Sequence, residues 1–352
     1  MTRRRQPGLF VASALALVAL AATTSDSHLR ADGSGCQFAD IDRIVAVGDV
    51  HGAYDRFVEI LRASDILDAR LRWIGGRTHL VQLGDVVDRG PDSAKALDLL
   101  ERLAKDAARA GGAVHVLLGN HEVMRMLGDV RYTTPSEYAV FASSKSNETR
   151  DAYLERAKAA SEPVPTLPPL GFVEMRVAFG QNGRYGKWLR SLDGVIQING
   201  IVFVHGGISP AVAGLSCDVI NQTIHRSLTS DLDQTRADPL AQLATRVDGP
   251  LWYRGLAEEP DAFAPMVDDI LAAQKARAIV VGHTVTADGR IRTRFGGKVI
   301  QIDTGMQPAY VPAGRASALD IEHGMMTAIY TDRRDVLSRE TAEPSAVAAP
   351  AR

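Results

Sequence analysis

Residues 44–52, IVAVGDVHG, place four consecutive aliphatic residues directly before a polar loop that contains two glycines. Two later stretches repeat this arrangement: residues 79–90, HLVQLGDVVDRG, and residues 114–122, VHVLLGNHE. Short apolar runs bounded by glycine are typical of buried strands, so the polar residues would follow the carboxyl ends of those strands. In α/β folds, binding residues collect at these ends. The three stretches therefore predict an α/β fold and the position of its site.

Three further apolar runs, at residues 201–204, 278–281 and 299–302, have similar length and context. The first two precede HGG and GHT, so five strand-end loops each contain a possible metal ligand. Residues 93–110 have leucines at three- to four-residue spacing, with Pro91 before them and glycines after them, which predicts a helix. The order strand, polar loop, helix, strand is typical of α/β proteins.

Two stretches interrupt this order, and we interpret both as helical insertions that cover or flank the site. The first, residues 130–190, contains a predicted helix over 136–160 and then a proline-rich break at 163–169. The second, residues 211–248, also has helical character. The tail at 341–352 is rich in alanine and proline and has little apolar surface to bury, so we predict disorder there.

The composition is that of an ordinary globular protein, and it limits the partners. Of 352 residues, 23% are charged and 45% hydrophobic, which excludes collagen, low-complexity disorder and a small disulfide scaffold. Lysine and arginine number 40 against 42 aspartates and glutamates, for a net charge of -2. No overall basic field therefore favours nucleic acid as a partner. One large domain suffices at this length, and we place it at residues 40–335.

The first 22 residues have the layout of a secretory signal peptide. Three arginines at positions 3–5 precede an apolar stretch from Leu9 to Ala22, and residues 19–21, ALA, provide the small residues of a cleavage site. We predict export, to the periplasm or outside the cell, with no stable membrane insertion after cleavage. A retained membrane anchor is the alternative, but a span needs about 20 apolar residues and this stretch is shorter.

The sequence contains two cysteines, Cys36 and Cys217. In an exported protein they could form one disulfide, which would tie the start of the mature domain to its middle. Cysteines this far apart in sequence reveal nothing about their separation in space, so two free thiols are the alternative. Neither cysteine lies in a sequence context typical of a metal site or a catalytic nucleophile.

The predicted strand-end loops contain three aspartates, one asparagine and four histidines: Asp49, His51, Asp85, Asp88, Asn120, His121, His205 and His283. Taken singly, each has an ordinary explanation as a helix cap, a solvated turn or a core histidine. Five such loops together are an improbable coincidence. Oxygen and nitrogen donors without sulfur suit Mn²⁺, Fe or Zn²⁺, and the set is large enough for two ions. Two adjacent ions suit phosphoryl transfer, because they can bind both the attacking and the leaving oxygen.

GDVHG, GDVVDRG and GNHE, in this order, resemble the three signature motifs of the phosphoprotein-phosphatase branch of the calcineurin-like metallophosphoesterases. The motifs LWYRG at residues 251–255 and GHT at 282–284 make the chain most similar to the bacterial Shewanella-like protein phosphatases. The resemblance implies a four-layer α/β sandwich, in which two mixed β-sheets are flanked by helices and helical insertions lie over the active site.

The resemblance also implies a site for two divalent metal ions, with Mn²⁺ expected and Fe or Zn²⁺ as alternatives. The implied ligands are Asp49 and His51 for the first ion, Asp85 as a bridge, and Asn120, His205 and His283 for the second ion.

Proton transfer and phosphate binding are implied by the same resemblance. His121 would protonate the leaving oxygen, and Asp88 would accept its other ring N–H. This pairing makes chemical sense, because a carboxylate raises the pKa of a histidine and fixes its tautomer. Arg89 and Arg254 would bind phosphate, since a guanidinium group can bind two of its oxygens at once. Asn120 is also implied to contact the substrate.

The implied reaction is hydrolysis of a phosphomonoester by metal-bound hydroxide that attacks phosphorus in line, without a phosphoenzyme. The expected substrate is a phosphoprotein or phosphopeptide. A nucleotide or dinucleoside-polyphosphate hydrolase is the alternative, since those enzymes resemble the same motifs. A non-catalytic metal-dependent binding module is a third hypothesis, which the presence of every implied ligand and of His121 disfavours.

Three further residues or segments lie near these motifs. Asp303 follows the last predicted strand, and we expect it to support His283. Trp252 lies next to Arg254, which makes it a possible wall of the substrate pocket. The alternating arginines at 290–294 are interpreted as a solvated strand face.

Overall fold

The computed structural model describes residues 35–161, 167–229 and 242–339. The predicted signal peptide at 1–22 and the predicted tail at 341–352 lie outside these ranges. Strands begin at Gln37 and end at Arg339, slightly outside the expected domain at 40–335. None of the helices in the described ranges combines the length and the apolar character that a membrane crossing requires.

Two six-stranded mixed sheets flanked by helices form the fold, which confirms the predicted fold class. The strands are β1 (Gln37–Phe38), β2 (Arg43–Val47), β3 (His79–Gln82), β4 (Ala113–Val116), β5 (Val195–Ile198), β6 (Ile201–Val204), β7 (Ala278–Val281), β8 (Arg292–Arg294), β9 (Val299–Gln301), β10 (Ser317–Glu322), β11 (Met325–Tyr330) and β12 (Arg334–Arg339). Sheet I has the order β12-β11-β10-β2-β3-β4, and sheet II has the order β1-β5-β6-β7-β9-β8.

The helices lie in the connections between these strands. Their bounds are α1 (Tyr54–Ala63), α2 (Ser93–Arg109), α3 (Asn120–Leu127), α4 (Pro135–Phe141), α5 (Ser146–Ala159), α6 (Phe172–Phe179), α7 (Arg184–Leu189), α8 (Cys217–Thr229), α9 (Gly255–Glu258) and α10 (Ala264–Gln274). The apolar face of α2 is buried and the helix contacts β4, whereas α8 contacts β5. The predicted insertion at 130–190 contains α4 to α7, and α8 lies in the predicted insertion at 211–248.

Three strands in each sheet run parallel to one another: β2, β3 and β4 in sheet I, and β6, β7 and β9 in sheet II. Most of their aliphatic residues are buried, as is usual for parallel strands covered on both faces. The carboxyl ends of the two sets meet closely at Gly48, which follows β2. A Cβ atom there would lie 2.6 Å from the carbonyl oxygen of Ile302, which follows β9. Glycine therefore permits the two sheet ends to approach each other.

The six strands predicted from apolar runs are all present, with ends within two residues of the expected positions. The predicted helix over 93–110 is confirmed as α2. The single helix expected over 136–160 is wrong, because α4 and α5 are separate. Ala142 has an extended backbone, and the Ser143 N–H donates to the Ser146 hydroxyl at 2.8 Å. Serine side chains compete for backbone hydrogen bonds in this way, which favours a helix end.

Cys36 and Cys217 form a disulfide, with their Cα atoms 6.1 Å apart, which confirms the hypothesis of a bond between them. Cys36 directly precedes β1, the edge strand of sheet II, and Cys217 is the first residue of α8. The bond therefore ties a two-residue edge strand to a helix that contacts the neighbouring strand β5.

Candidate metal centre

Nine of the ten predicted site residues lie near the carboxyl ends of the two parallel strand sets, and Arg254, at the start of α9, joins them at one place. A cavity of about 160 Å³ opens there, and the residues that line it include His51, Asp85, Arg89, Asn120, His121, Arg254 and His283. Asp49, Asp88 and His205 lie directly behind these residues and contact them. Trp252 also lines the cavity, as expected for a pocket wall.

Asp85 belongs to two clusters of possible metal ligands. In one cluster its carboxylate lies with His51 and His121, and in the other with His205 and His283; the ligand atoms of each cluster lie within 4.8 Å of one another. The Asp49 carboxylate lies 3.9 Å from His51 Nε2. A carboxylate shared by two clusters is the arrangement that a metal bridge requires.

The orientation of the histidines fits a divalent cation. His205 Nδ1 lies 2.8 Å from the carbonyl oxygen of Leu83, to which it donates, so Nε2 is the acceptor nitrogen. That Nε2 lies 3.0 Å from Asn120 Oδ1 and 3.3 Å from Asp85 Oδ2. One ring nitrogen and two side-chain oxygens thus lie close together, a donor set that suits a bound metal ion. His51 likewise places Nδ1 2.9 Å from a backbone carbonyl oxygen and keeps Nε2 for the site.

Buried carboxylates surround this position. Burial raises the pKa of Asp49 well above its usual value, and the nearby carboxylates of Asp303 and Asp85 raise it further. Burial and Asp85 also raise the pKa of Asp303 to about 6. Asp303 thus lies beside Asp49, which in turn accepts the His283 backbone N–H. The expected support of His283 by Asp303 stays a prediction. Adjacent buried carboxylates favour a cation between them.

Two of the histidines are neutral at physiological pH. Burial lowers the pKa of His51 to about 4, and burial together with His205 lowers the pKa of His283 to about 2. Histidine binds metals in its neutral form, so both side chains are prepared for that role. His283 is held at two points, because its backbone N–H donates to Asp49 at 3.0 Å and its Nε2 lies 3.2 Å from the Trp252 carbonyl oxygen.

His121 and Asp88, predicted to act as a proton-transfer pair, are in contact, with His121 Nδ1 2.8 Å from Asp88 Oδ2. Burial alone would lower the pKa of His121, but the carboxylates of Asp85 and Asp88 outweigh it and raise that pKa above its usual value. His121 Nε2 lies on the cavity side, 3.5 Å from the guanidinium of Arg89. The imidazolium can therefore donate its Nδ1–H to Asp88 and present its Nε2–H to the cavity.

Both predicted arginines lie at the cavity. The Arg89 guanidinium lies 3.6 Å from the ring centre of Tyr310 and 4.7 Å from that of Tyr132, and its Nε atom has no hydrogen-bond partner among the described residues. Arg254 donates to the His283 carbonyl oxygen at 2.7 Å and to a threonine hydroxyl at 3.0 Å. The two groups thus place cationic donors at the cavity, where an anion can bind.

Five non-glycine site residues have left-handed backbone conformations: His51 (φ 48°), Asp85 (φ 52°), Asp88 (φ 72°), Arg89 (φ 66°) and His283 (φ 63°). Such conformations are unfavourable for residues with a Cβ atom and persist where the surrounding structure enforces them. Their concentration in three strand-end loops indicates that the loops are held in place for function.

Glu122 holds the loop after β3, a role that the sequence analysis did not assign. Its carboxylate accepts the backbone N–H groups of Asp85 and Val86, both at 2.8 Å, and that of Gly119 at 2.9 Å. The available signal was its position as the third residue of α3, where glutamate often reaches back to the start of its helix. Tyr132 and Tyr310 were also missed, because they come from loops distant from the predicted strand ends.

Residues 42–287 match the family model described as calcineurin-like phosphoesterase. The chain belongs to this family. Shewanella-like protein phosphatase 2 of Arabidopsis thaliana is 29% identical to it, over 77% of this chain and 73% of the plant protein. Shewanella-like protein phosphatase 1 of Plasmodium berghei is 27% identical, over 75% of this chain and 67% of its own length.

This calcineurin-like phosphoesterase is also similar in structure to a solved protein. The cold-active protein-tyrosine phosphatase of a psychrophilic Shewanella species has a TM-score of 0.69 and 29% sequence identity, and the match covers 86% of this chain and 82% of that one. The family, the relatives and the ligand clusters together identify the chain as a metal-dependent phosphatase.

Proposed function

We propose that this phosphatase uses two divalent metal ions to hydrolyse phosphomonoesters on proteins, with a preference for phosphotyrosine. The observation that carries the proposal is the position of Arg89. Its guanidinium lies between the rings of Tyr132 and Tyr310, beside His121 and next to the ligand cluster around Asp85. Groups for phosphate binding, for leaving-group protonation and for contact with an aromatic ring thus share one small cavity.

The proposed metal ligands are those implied by the motifs: Asp49, His51, Asp85, Asn120, His205 and His283. Their oxygen and nitrogen donors suit Mn²⁺, which we propose as the metal, ahead of Fe or Zn²⁺. A pair of such ions would polarise the phosphate and lower the pKa of a bound water, and so make a nucleophile available near neutral pH. The chain's contribution is to orient these ligands, as Leu83 and Val87 do for two of the histidines through their carbonyl oxygens.

His121 is proposed to donate the proton on Nε2 to the leaving oxygen, while Asp88 holds Nδ1–H and stabilises the imidazolium. Such protonation matters most for an oxygen that leaves poorly as an anion. Arg89 and Arg254 would bind the non-bridging phosphate oxygens and turn the leaving oxygen towards His121, because a planar guanidinium fixes the orientation of the anion.

The preference for phosphotyrosine follows from what adjoins the proton donor. The Tyr132 ring centre lies 5.0 Å from the His121 ring, so the group attached to the leaving oxygen would lie beside this ring. An aromatic group gains from such a contact, whereas a serine methylene gains little. The Shewanella relative is a protein-tyrosine phosphatase by name, which supports the same preference. A cavity of about 160 Å³ is smaller than pockets that enclose a whole ligand, which favours the end of a larger molecule over an enclosed dinucleotide.

The test is turnover of matched peptides that carry phosphotyrosine, phosphoserine or phosphothreonine, compared with diadenosine tetraphosphate. The proposal predicts the highest kcat/KM for the phosphotyrosine peptide. In Tyr132→Leu that advantage should fall by about 2- to 10-fold, the value of one aromatic pair, while the phosphoserine peptide serves as the internal control. Turnover of the dinucleotide alone would establish the nucleotide hydrolase instead.

We also propose that the protein is exported, to the periplasm or beyond, after removal of residues 1–22. The disulfide between Cys36 and Cys217 supports this proposal, because such bonds persist mainly in oxidising compartments. Fractionation of the producing cells and amino-terminal sequencing of the mature chain test it. A mature chain that starts near position 22 or 23 outside the cytoplasm is expected, and an intact leader on cytoplasmic protein would contradict the proposal.

A further inference from the structure

Arg125 is completely buried, one helical turn after His121 on α3. Its Nη2 donates to Asp88 Oδ1 and, at 3.1 Å, to Glu137 Oε1. The face of its guanidinium lies 5.0 Å from the ring centre of Phe179 on α6. None of the motifs assigns a role to this arginine, and it does not line the cavity.

Asp88 divides its two carboxylate oxygens between the proposed proton donor and this arginine. Oδ2 lies 2.8 Å from His121 Nδ1, whereas Oδ1 accepts from Arg125 and, at 3.0 Å, from the Thr133 hydroxyl. A carboxylate bound on one side only could rotate about its Cβ–Cγ bond. Here the contacts to Oδ1 fix that rotation, and the rotation sets the direction in which Oδ2 meets the imidazole.

Glu137 extends the arrangement into the insertion at 130–190, because it lies on α4. It accepts the Ser93 hydroxyl proton, and the same hydroxyl oxygen accepts the backbone N–H of Asp88 at 3.2 Å. Asp88, Arg125, Glu137 and Ser93 therefore form a closed hydrogen-bonded ring. The ring joins the loop after β3, the helices α2 and α3, and the insertion helix α4.

We propose that Arg125 is a positioning residue: together with Glu137 of the insertion, it holds Asp88 in the orientation in which His121 can protonate the leaving oxygen. Burial of an ion pair by itself argues against a purely stabilising role, since apolar residues of similar size often stabilise a core equally well. The inference rests on the proposed phosphomonoesterase function. Under this proposal, the insertion helps to orient the groups that transfer the proton, in addition to covering the site.

The test compares 2,4-dinitrophenyl phosphate, whose leaving group needs no proton, with phenyl phosphate, whose leaving group does. In Arg125→Met, kcat for phenyl phosphate should fall roughly tenfold or more, part of the 10²–10⁴-fold that general acid catalysis supplies. For 2,4-dinitrophenyl phosphate, kcat should stay within about threefold of the wild type, since no proton is required. For phenyl phosphate, kcat of Arg125→Lys should lie between those of the wild type and of Arg125→Met, because an ammonium keeps the charge but loses the planar fork. Metal content is measured in every variant and should not change.

Arg43→Met is the matched control, because Arg43 also forms a two-point contact with a largely buried aspartate, Asp320, but at the opposite end of β2 from the site. It should alter stability without changing the ratio of the two kcat values. Equal losses on both esters in a folded Arg125 variant, or no loss on either, would overturn the inference. If Arg125→Met does not fold, the ratio of the two kcat values is measured in Arg125→Lys and Glu137→Gln instead. The same outcomes then support or overturn the inference. Failure of the wild type on both esters would instead refute the proposed phosphomonoesterase function.

Discussion

Asp85 occupies the centre of the site, and its environment fixes both its position and its charge. Its Oδ1 accepts the His121 backbone N–H at 2.9 Å, and its Oδ2 faces His205 at 3.3 Å. Burial opposes ionisation, but His205 and His121 lower the pKa of Asp85 well below its usual value. The result is a buried carboxylate that remains ionised at neutral pH between two groups of possible metal ligands.

Asp85→Asn should therefore disturb both proposed metal positions. We expect a loss of bound metal and a loss of activity at least as large as the roughly 10- to 100-fold that follows removal of a hydrogen-bond partner of a metal ligand. Metal content by mass spectrometry and phosphatase activity on the same preparation measure the two effects. A variant that keeps two ions per chain would contradict the bridging assignment.

His121→Asn should separate proton transfer from metal binding. The metals should remain bound, because the proposed ligands are intact, while kcat should fall by about 10²–10⁴-fold for an alkyl phosphate, whose leaving group is poor. The loss should be much smaller for 4-nitrophenyl phosphate, whose leaving group needs little protonation. Equal losses on the two substrates would remove the acid role from His121.

Among the secondary-structure elements, the parallel strands could be predicted because each has a short aliphatic run, and five of the six are followed by a motif. Most of the site residues follow those strands closely in sequence, so their place at the strand ends could be predicted, whereas their convergence also depends on how the two sheets pack together. The hairpins at 317–339 carry no such motif, and no strand was predicted there. Tyr132 and Tyr310 reach the site only through the packing of loops, and the contacts of Arg125 with Glu137 and Phe179 depend on the packing of insertion helices. No periodicity in the sequence reveals either.

The strands β3 and β4 contain a further pair of partly buried histidines, His79 and His115, with His115 Nε2 3.0 Å from His79 Nδ1. Burial, with His79 nearby, lowers the pKa of His115 to about 3. The unfolded chain, with a histidine pKa of about 6.5, binds more protons than the folded chain between these values. The free energy of unfolding should consequently fall as pH drops from about 6.5 towards 3, by up to about 1.4 kcal/mol per pH unit for this one group.

His115→Gln should reduce that pH dependence. Urea unfolding at pH 7 and pH 5, with metal content held constant, measures it for the variant and the wild type. The contributions of His51 and His283 cancel in the difference between the two proteins. Identical pH dependence in both would show that His115 is not held in its neutral form.

The chain is also constrained by its disulfide, which closes a loop of 181 residues between Cys36 and Cys217. The bond joins the start of sheet II, next to β1, to helix α8, which lies far along the sequence. A cross-link of this kind acts mainly by restricting the unfolded chain, although the balance of entropy and enthalpy depends on the protein.

Replacement of both cysteines by serine should lower the free energy of unfolding by about 2–4 kcal/mol. Neither cysteine lines the cavity, so kcat of the folded variant should stay unchanged. Denaturant unfolding of the variant beside the oxidised wild type measures the difference. Equal unfolding free energies would mean that the bond adds no stability.

The most direct test of the dinuclear phosphatase is a metal titration of the metal-free chain with Mn²⁺, in which hydrolysis of a phosphotyrosine peptide is measured against ions bound per chain. We predict that activity is low at one ion and reaches its maximum at two, because the ligand groups on both sides of Asp85 must each hold an ion. Full activity at one ion per chain, or none at any loading, would contradict the account.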